Sequence, residues 1–191
     1  MWGRGSAIRP VPGYARISEA AVDAVRVELA ESDSRTQLDE AFTRFGEEQP
    51  VLAAFARERL SRPLDETALA LGYFLCVAVW LAFERTHHSH LSEVTEDELA
   101  AARQALELDE ELRRSDPQDA LDTDDVISGE QPALVRFLHD HIDATLELHA
   151  ESIDVDDVHE LYRSVLLEVL ALSYCVRQPD GYPVGKSELL A

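Results

Sequence analysis

The stretch Ala68 to Phe83, "ALALGYFLCVAVWLAF", runs for 16 residues without a charge. Asp65 and Glu66 precede it, and Glu84 and Arg85 follow. A membrane-spanning helix needs about 20 apolar residues, and charges close in on both sides before that length is reached. A helix that is apolar all round and too short to span is a buried one. The stretch therefore predicts a central helix over 65–86, enclosed by other helices. Within it Ala68, Gly72 and Cys76 recur every fourth residue, a stripe of small side chains that lets a neighbouring helix approach closely.

Working outward, helical spacing dominates and no alternating strand pattern appears. Ser18 is placed to cap a helix reaching about residue 32, with Val22, Val25 and Leu29 on one face. A second helix over about 35–45 carries Leu38, Phe42 and Phe45, with Gly46 placed to end it. Pro50 suits the first position of a third helix, where its missing N–H costs nothing, and that helix stops before Pro63. Thr95 followed by Glu98 forms a capping-box pattern opening a fifth helix to about residue 114. Residues 115–129, acidic and broken by Pro117, form a linker. A sixth helix to about 150 and a seventh over about 154–176 complete the chain. The fold class is all-α: a helical bundle of about seven helices.

One block occurs twice. "EQPVLAAF" at 48–55 returns 82 positions later as "EQPALVRF" at 130–137. Glu48, Gln49, Pro50, Leu52 and Phe55 match Glu130, Gln131, Pro132, Leu134 and Phe137. Each copy opens a helix that leads into a longer apolar one, which predicts an internal two-hairpin pseudo-repeat with halves at about 46–86 and 128–177. Proline starts the helix, while Leu and Phe face inward; Glu and Gln have no evident structural task. The copies differ at Arg59 and His141, which occupy equivalent places in otherwise apolar stripes. The domain organisation is then a flexible arm at 1–17, one all-α domain at 18–178 and a flexible tail at 179–191.

The chain has 191 residues and a net charge of −21, which repels phosphates and disfavours nucleic acid or an anionic membrane as partner. Only Lys186 is lysine among 17 basic residues, a composition expected of a GC-rich genome or a saline cytoplasm. Cys76 and Cys175 both lie in apolar helical runs, as reduced buried thiols of a cytoplasmic protein do. The first residues lack the apolar block of a secretory signal.

No motif assembles a reaction centre. "DGYPVGKS" at 180–187 misses the phosphate-loop spacing by one residue and has no strand before it or helix after it. The acidic runs 122–130 and 154–160 lack the ligands and the glycine of a calcium loop. Glu84 and His87 have the i, i+3 spacing of bundle metal sites, but the nearest second pair, Asp156 and His159, starts a different helix. His87, His88 and His90 suit a helix C-terminus without any metal. His141 falls among Leu134, Phe137 and Leu138 and is the first titratable residue to mutate. Glu168 falls on the side of Asp157, Glu160 and Ser164, a surface position.

These features assign no catalytic residue, no metal ligand and no cofactor, and give no reason to propose an enzyme. They point to a cytoplasmic protein acting through protein–protein contacts, as a homodimer or with another partner. Two other readings stand beside it. One is a histidine/carboxylate metal site on Glu84, His87 and His159. The other is an acidic mimic that occupies a nucleic-acid-binding partner, with carboxylates gathered on one face.

Overall fold

The computed structural model describes residues 6–30, 34–115 and 123–182. Among them stand eight α-helices: α1 (Glu19–Ala30), α2 (Ser34–Glu48), α3 (Pro50–Leu60), α4 (Glu66–His87), α5 (Glu96–Ser115), α6 (Thr123–Glu130), α7 (Pro132–His149) and α8 (Val155–Cys175). The chain is all-α, as the periodicity predicts. The only sheet-like pairing among the described residues is an isolated antiparallel bridge between Leu91 and Val176.

Local chemistry sets the helix ends. The Asp65 carboxylate caps α4 by accepting from the N–H groups of Thr67 and Ala68 at 2.9 and 3.0 Å. Thr95 and Glu98 form the reciprocal capping box at α5: the Thr95 N–H reaches Glu98 Oε2 at 2.8 Å, and the Glu98 N–H reaches Thr95 Oγ1 at 3.3 Å. Asp154 does for α8 what Asp65 does for α4. Gly46 does not end α2, which continues to Glu48. A Cβ there would stand 2.5 Å from Arg57 Nη2, so this glycine makes room for a guanidinium.

α4 and α8 form the centre and run parallel. The Asp65 N–H donates to Asp157 Oδ2 at 2.8 Å near their starts, and Leu91 pairs with Val176 beyond their ends. Between these points Gly72 lies against Leu161, whose methyls would be 2.8 and 3.0 Å from an added Cβ. The small-residue stripe thus does serve close helix approach. Helices α1, α2, α3 and α7 also pack on α4. The segment Glu66–His90 is long and apolar enough to cross a membrane by length and composition, yet its side chains are mostly enclosed by these neighbours. Trp80, Leu81 and Phe83 have no accessible surface.

Three sequence-based expectations are corrected here. Residues 6–17 are not a flexible arm. Ile8, Val11, Ala15 and Ile17 are buried in the core, and three backbone amides of the segment are held by distant side chains: Ala7 N–H by Asp109, Val11 N–H by Glu130 and Ile17 N–H by Gln131. The acidic linker contains α6, a two-turn helix held by the buried Ile127 and too short to show a periodic signal. Residues 116–122 of that linker, and 183–191 of the tail with Lys186 and Ser187, lie outside the described residues.

The third correction is Glu168, which is buried, at 2% exposure. Periodicity identified one apolar face of α8, but α8 is packed on several sides, by α4, α5, α3 and α7, so its polar-looking side is covered as well. Of the repeated block, the structure shows the two joints to be alike. Gln49 and Gln131 precede their prolines with φ/ψ of −134/63° and −130/62°. The helices that follow differ in length, 11 residues in α3 against 18 in α7.

Candidate functional site

The residues singled out by sequence separate in space. Glu84 pairs with His88, 3.4 Å from its Nδ1, and not with His87. His87 turns inward against Phe83, and its Nε2 is buried without a hydrogen-bond partner. Burial holds its pKa below the ordinary imidazole value, only partly offset by a hydrogen bond to the Ala15 backbone. His88, at the C-cap of α4, has φ of 21°, an uncommon conformation for a residue with a side chain. His159 is exposed near the opposite end of the bundle. No group of three or more His, Cys, Asp or Glu among the described residues is placed to hold a metal ion. The structure therefore does not bring Glu84, His87 and His159 together.

His141 lies where the helical count put it, with its ring 4.4 Å from Phe137 and 4.8 Å from Phe74. Its buried Nε2 has no hydrogen-bond partner, and burial lowers its pKa, helped by the nearby Arg26. Arg59, at the equivalent position, stacks on Phe55 at 5.2 Å. Both side chains lean on the phenylalanine one turn before them. They are aromatic-stacked core-edge residues.

Two buried carboxyl groups have opposite fates. Asp109 on α5 is fully buried and accepts from Ser6, Ala7, Arg113 and Thr123. Burial alone would raise its pKa, but these donors outweigh burial and keep it ionised below the usual carboxylate range. It ties the N-terminal strap and the start of α6 to α5. Glu168 has only the Cys76 thiol beside it, and its Oε1 has no partner. Burial pushes its pKa well up, and burial likewise pushes up Cys76.

The cleft with the most chemistry lies between α5, α6 and α8, with a volume of about 500 Å³. Leu106 and Leu166 are its buried floor. Arg163 on α8 grips Glu110 on α5 through both oxygens, Nε to Oε1 at 2.6 Å and Nη2 to Oε2 at 3.1 Å. That grip raises the Arg163 pKa. Arg114 approaches the same Glu110 Oε2 at 3.8 Å, and Arg113 binds Asp109 at 2.8 Å. On the far wall Tyr162 hydrogen-bonds to Asp124, while His139 Nε2 is 2.8 Å from Tyr162 Oη and 3.2 Å from Asp124 Oδ2. Sequence reasoning missed His139, Tyr162, Arg163 and Glu110. They come from three helices, Glu110 from α5, His139 from α7 and the adjacent Tyr162 and Arg163 from α8, and no spacing along the chain links the three.

Comparison with protein-family models, with curated proteins and with solved structures yields no match for this chain.

Proposed function

We propose that this is a non-enzymatic helical protein that acts through protein–protein contacts, and that it self-associates through the outer face of α5. The observation that carries this is a second apolar stripe on that helix. Toward the core α5 buries Leu99, Ala102 and Leu106. On its outer side Ala101, Ala105, Leu108 and Leu112 follow a 4-3-4 spacing, and Leu108 and Leu112 are 47% and 43% exposed. A single exposed leucine needs no explanation, but a heptad-spaced stripe is what one helix presents to another. Small alanines at its first half allow close approach. At 100° per residue Asp97 and Glu98 flank this sector at its first turn and Glu111 stands about 60° off Leu108, in a chain with 38 acidic residues. A second copy of this face is its natural partner, since a two-fold interface uses one patch on both subunits.

The mimic reading has less support. Exposed carboxylates occur on every one of the eight described helices, from Glu19 and Asp23 on α1 to Asp156 and Glu160 on α8. That distribution favours solubility over a single acidic face. Light scattering on the purified chain tests the proposal: a dimer supports it, and a monodisperse monomer across the micromolar range overturns it.

A further inference from the structure

We propose that the cleft between α1, α2 and α4 binds a small organic cation: an ammonium group carried on a short hydrocarbon body. The cleft has a volume of about 830 Å³, within the range of about 300–1,000 Å³ that small-molecule sites occupy. Leu29, Leu38, Leu69 and Phe74 give it apolar walls, and Asp39 and Glu66 are its exposed acids. Among the described residues that line it there is no lysine, arginine or histidine.

The charge around the cleft selects the sign of the head group. Asp39 Oδ1 accepts from the Tyr73 hydroxyl at 3.0 Å. Burial and the Asp39 carboxylate push the Tyr73 pKa up to about 12, so this donor is uncharged. Glu66 lies in the first turn of α4, where the helix dipole supplies about half a positive charge, shared with Asp65. The described basic side chains of the three helices are engaged elsewhere: Arg26 with Asp140, Arg44 over Trp80, Arg85 with Glu28 and His87 against Phe83. On α3, Arg57 lies over Phe42 and Arg59 over Phe55. On α7, Arg136 pairs with Glu19, while His141 stands behind Phe74, where burial disfavours its charged form. Two carboxylates beside apolar walls thus lack a matching cation.

The walls also select the body. A calcium ion takes about six to eight oxygen ligands and magnesium keeps a shell of water, whereas leucine and phenylalanine suit a hydrocarbon. The ring face of Phe74 adds attraction for an ammonium group. No residue of α5 lines this cleft, so binding here stands apart from self-association.

The test is titration of the intact chain with hexylammonium chloride, methylammonium chloride and 1-hexanol at constant ionic strength, followed by calorimetry and backbone amide shifts. Hexylammonium is expected to bind saturably and to move the amides of Leu38, Leu69 and Phe74. Methylammonium, without the hydrocarbon, and hexanol, without the charge, are each expected to bind more weakly. Asp39→Asn/Glu66→Gln is expected to weaken hexylammonium about tenfold; both positions are exposed, so the fold is retained. Asp143→Asn/Glu147→Gln removes the same charge from exposed positions of α7 outside the cleft and is expected to leave the affinity unchanged. That control separates the cleft from the general pull of a chain of net charge −21. Four results overturn the proposal: no saturable binding of hexylammonium, hexanol binding as tightly, shifts centred on Leu108 and Leu112 in place of the cleft, or equal affinity in the two double variants.

Discussion

Gln49 and Gln131 each clamp an extended segment that leads into a helix far from it along the chain. Gln49 accepts from the Val94 N–H at 2.8 Å and donates to the Ser92 carbonyl at 3.0 Å, just before α5. Gln131 accepts from the Ile17 N–H at 3.0 Å and donates to the Ala15 carbonyl at 2.9 Å, just before α1. In both, one side-chain amide pairs with the carbonyl of residue i and the N–H of residue i+2, as a neighbouring strand does. The two glutamines are buried, at 2% and 0% exposure, so water cannot replace what they provide.

Removing either amide leaves a buried N–H and a buried carbonyl unpaired, each worth about 1–3 kcal/mol. Gln131→Ala is expected to cost about 2–4 kcal/mol in urea unfolding, more than Gln49→Ala, because it also removes the donor to the buried Ser173 hydroxyl 2.9 Å away, which keeps only its own bond to the Val169 carbonyl. The diagnostic readout is hydrogen exchange. Gln131→Ala should accelerate the Ile17 amide and Gln49→Ala the Val94 amide, each far from the mutation along the chain.

Glu168 predicts a gain of stability. Its folded pKa is raised above its unfolded value, so the stability it contributes is full below the unfolded pKa and is lost as pH rises toward the folded one. Glutamine has the shape of the protonated acid and does not titrate. Glu168→Gln should therefore stabilise the protein at neutral pH and more so at higher pH, while near pH 4 the two chains should melt alike. Between the unfolded and the folded pKa, each pH unit costs the wild type about 1.4 kcal/mol relative to the glutamine variant.

His87 predicts the opposite slope. Its folded pKa is lowered by burial, so the unfolded chain takes up a proton first as pH falls below the ordinary imidazole value. Stability from this residue is present above that value and lost below it. A ring-proton titration should place the His87 midpoint below the ordinary imidazole value. His87→Phe should flatten the loss of stability between neutral and mildly acidic pH. An unaltered midpoint would mean that the ring is solvated.

Much of this fold is legible one helix at a time. Pro50 and Pro132 open their helices, Thr95 and Glu98 close a capping box, and the uncharged run 68–83 is the enclosed α4. These signals are local, because caps and periodicity act within a turn or two. What escaped was set by distant neighbours. Glu168 sits on a helix face that looks polar until α4 covers it. The strap 6–17 carries Pro and Gly, yet Asp109, Glu130 and Gln131, over 100 residues away, hold its amides. Gln49 and Gln131 seem ordinary at a helix start because their partners lie 43 and 116 residues off. The cleft escaped for the same reason: Glu110, Asp124, His139, Tyr162 and Arg163 meet only once four helices are packed.

The outer stripe of α5 carries the functional proposal, and its leucines are open to mutation without cost to the core. Sedimentation velocity of the wild type beside the Leu108→Glu/Leu112→Glu double variant, over a concentration series, tests it most directly. The account predicts a dimer in the wild type and a folded monomer of unchanged circular dichroism in the variant. A wild type that sediments as a monomer at every concentration, or a variant that remains dimeric, would contradict it.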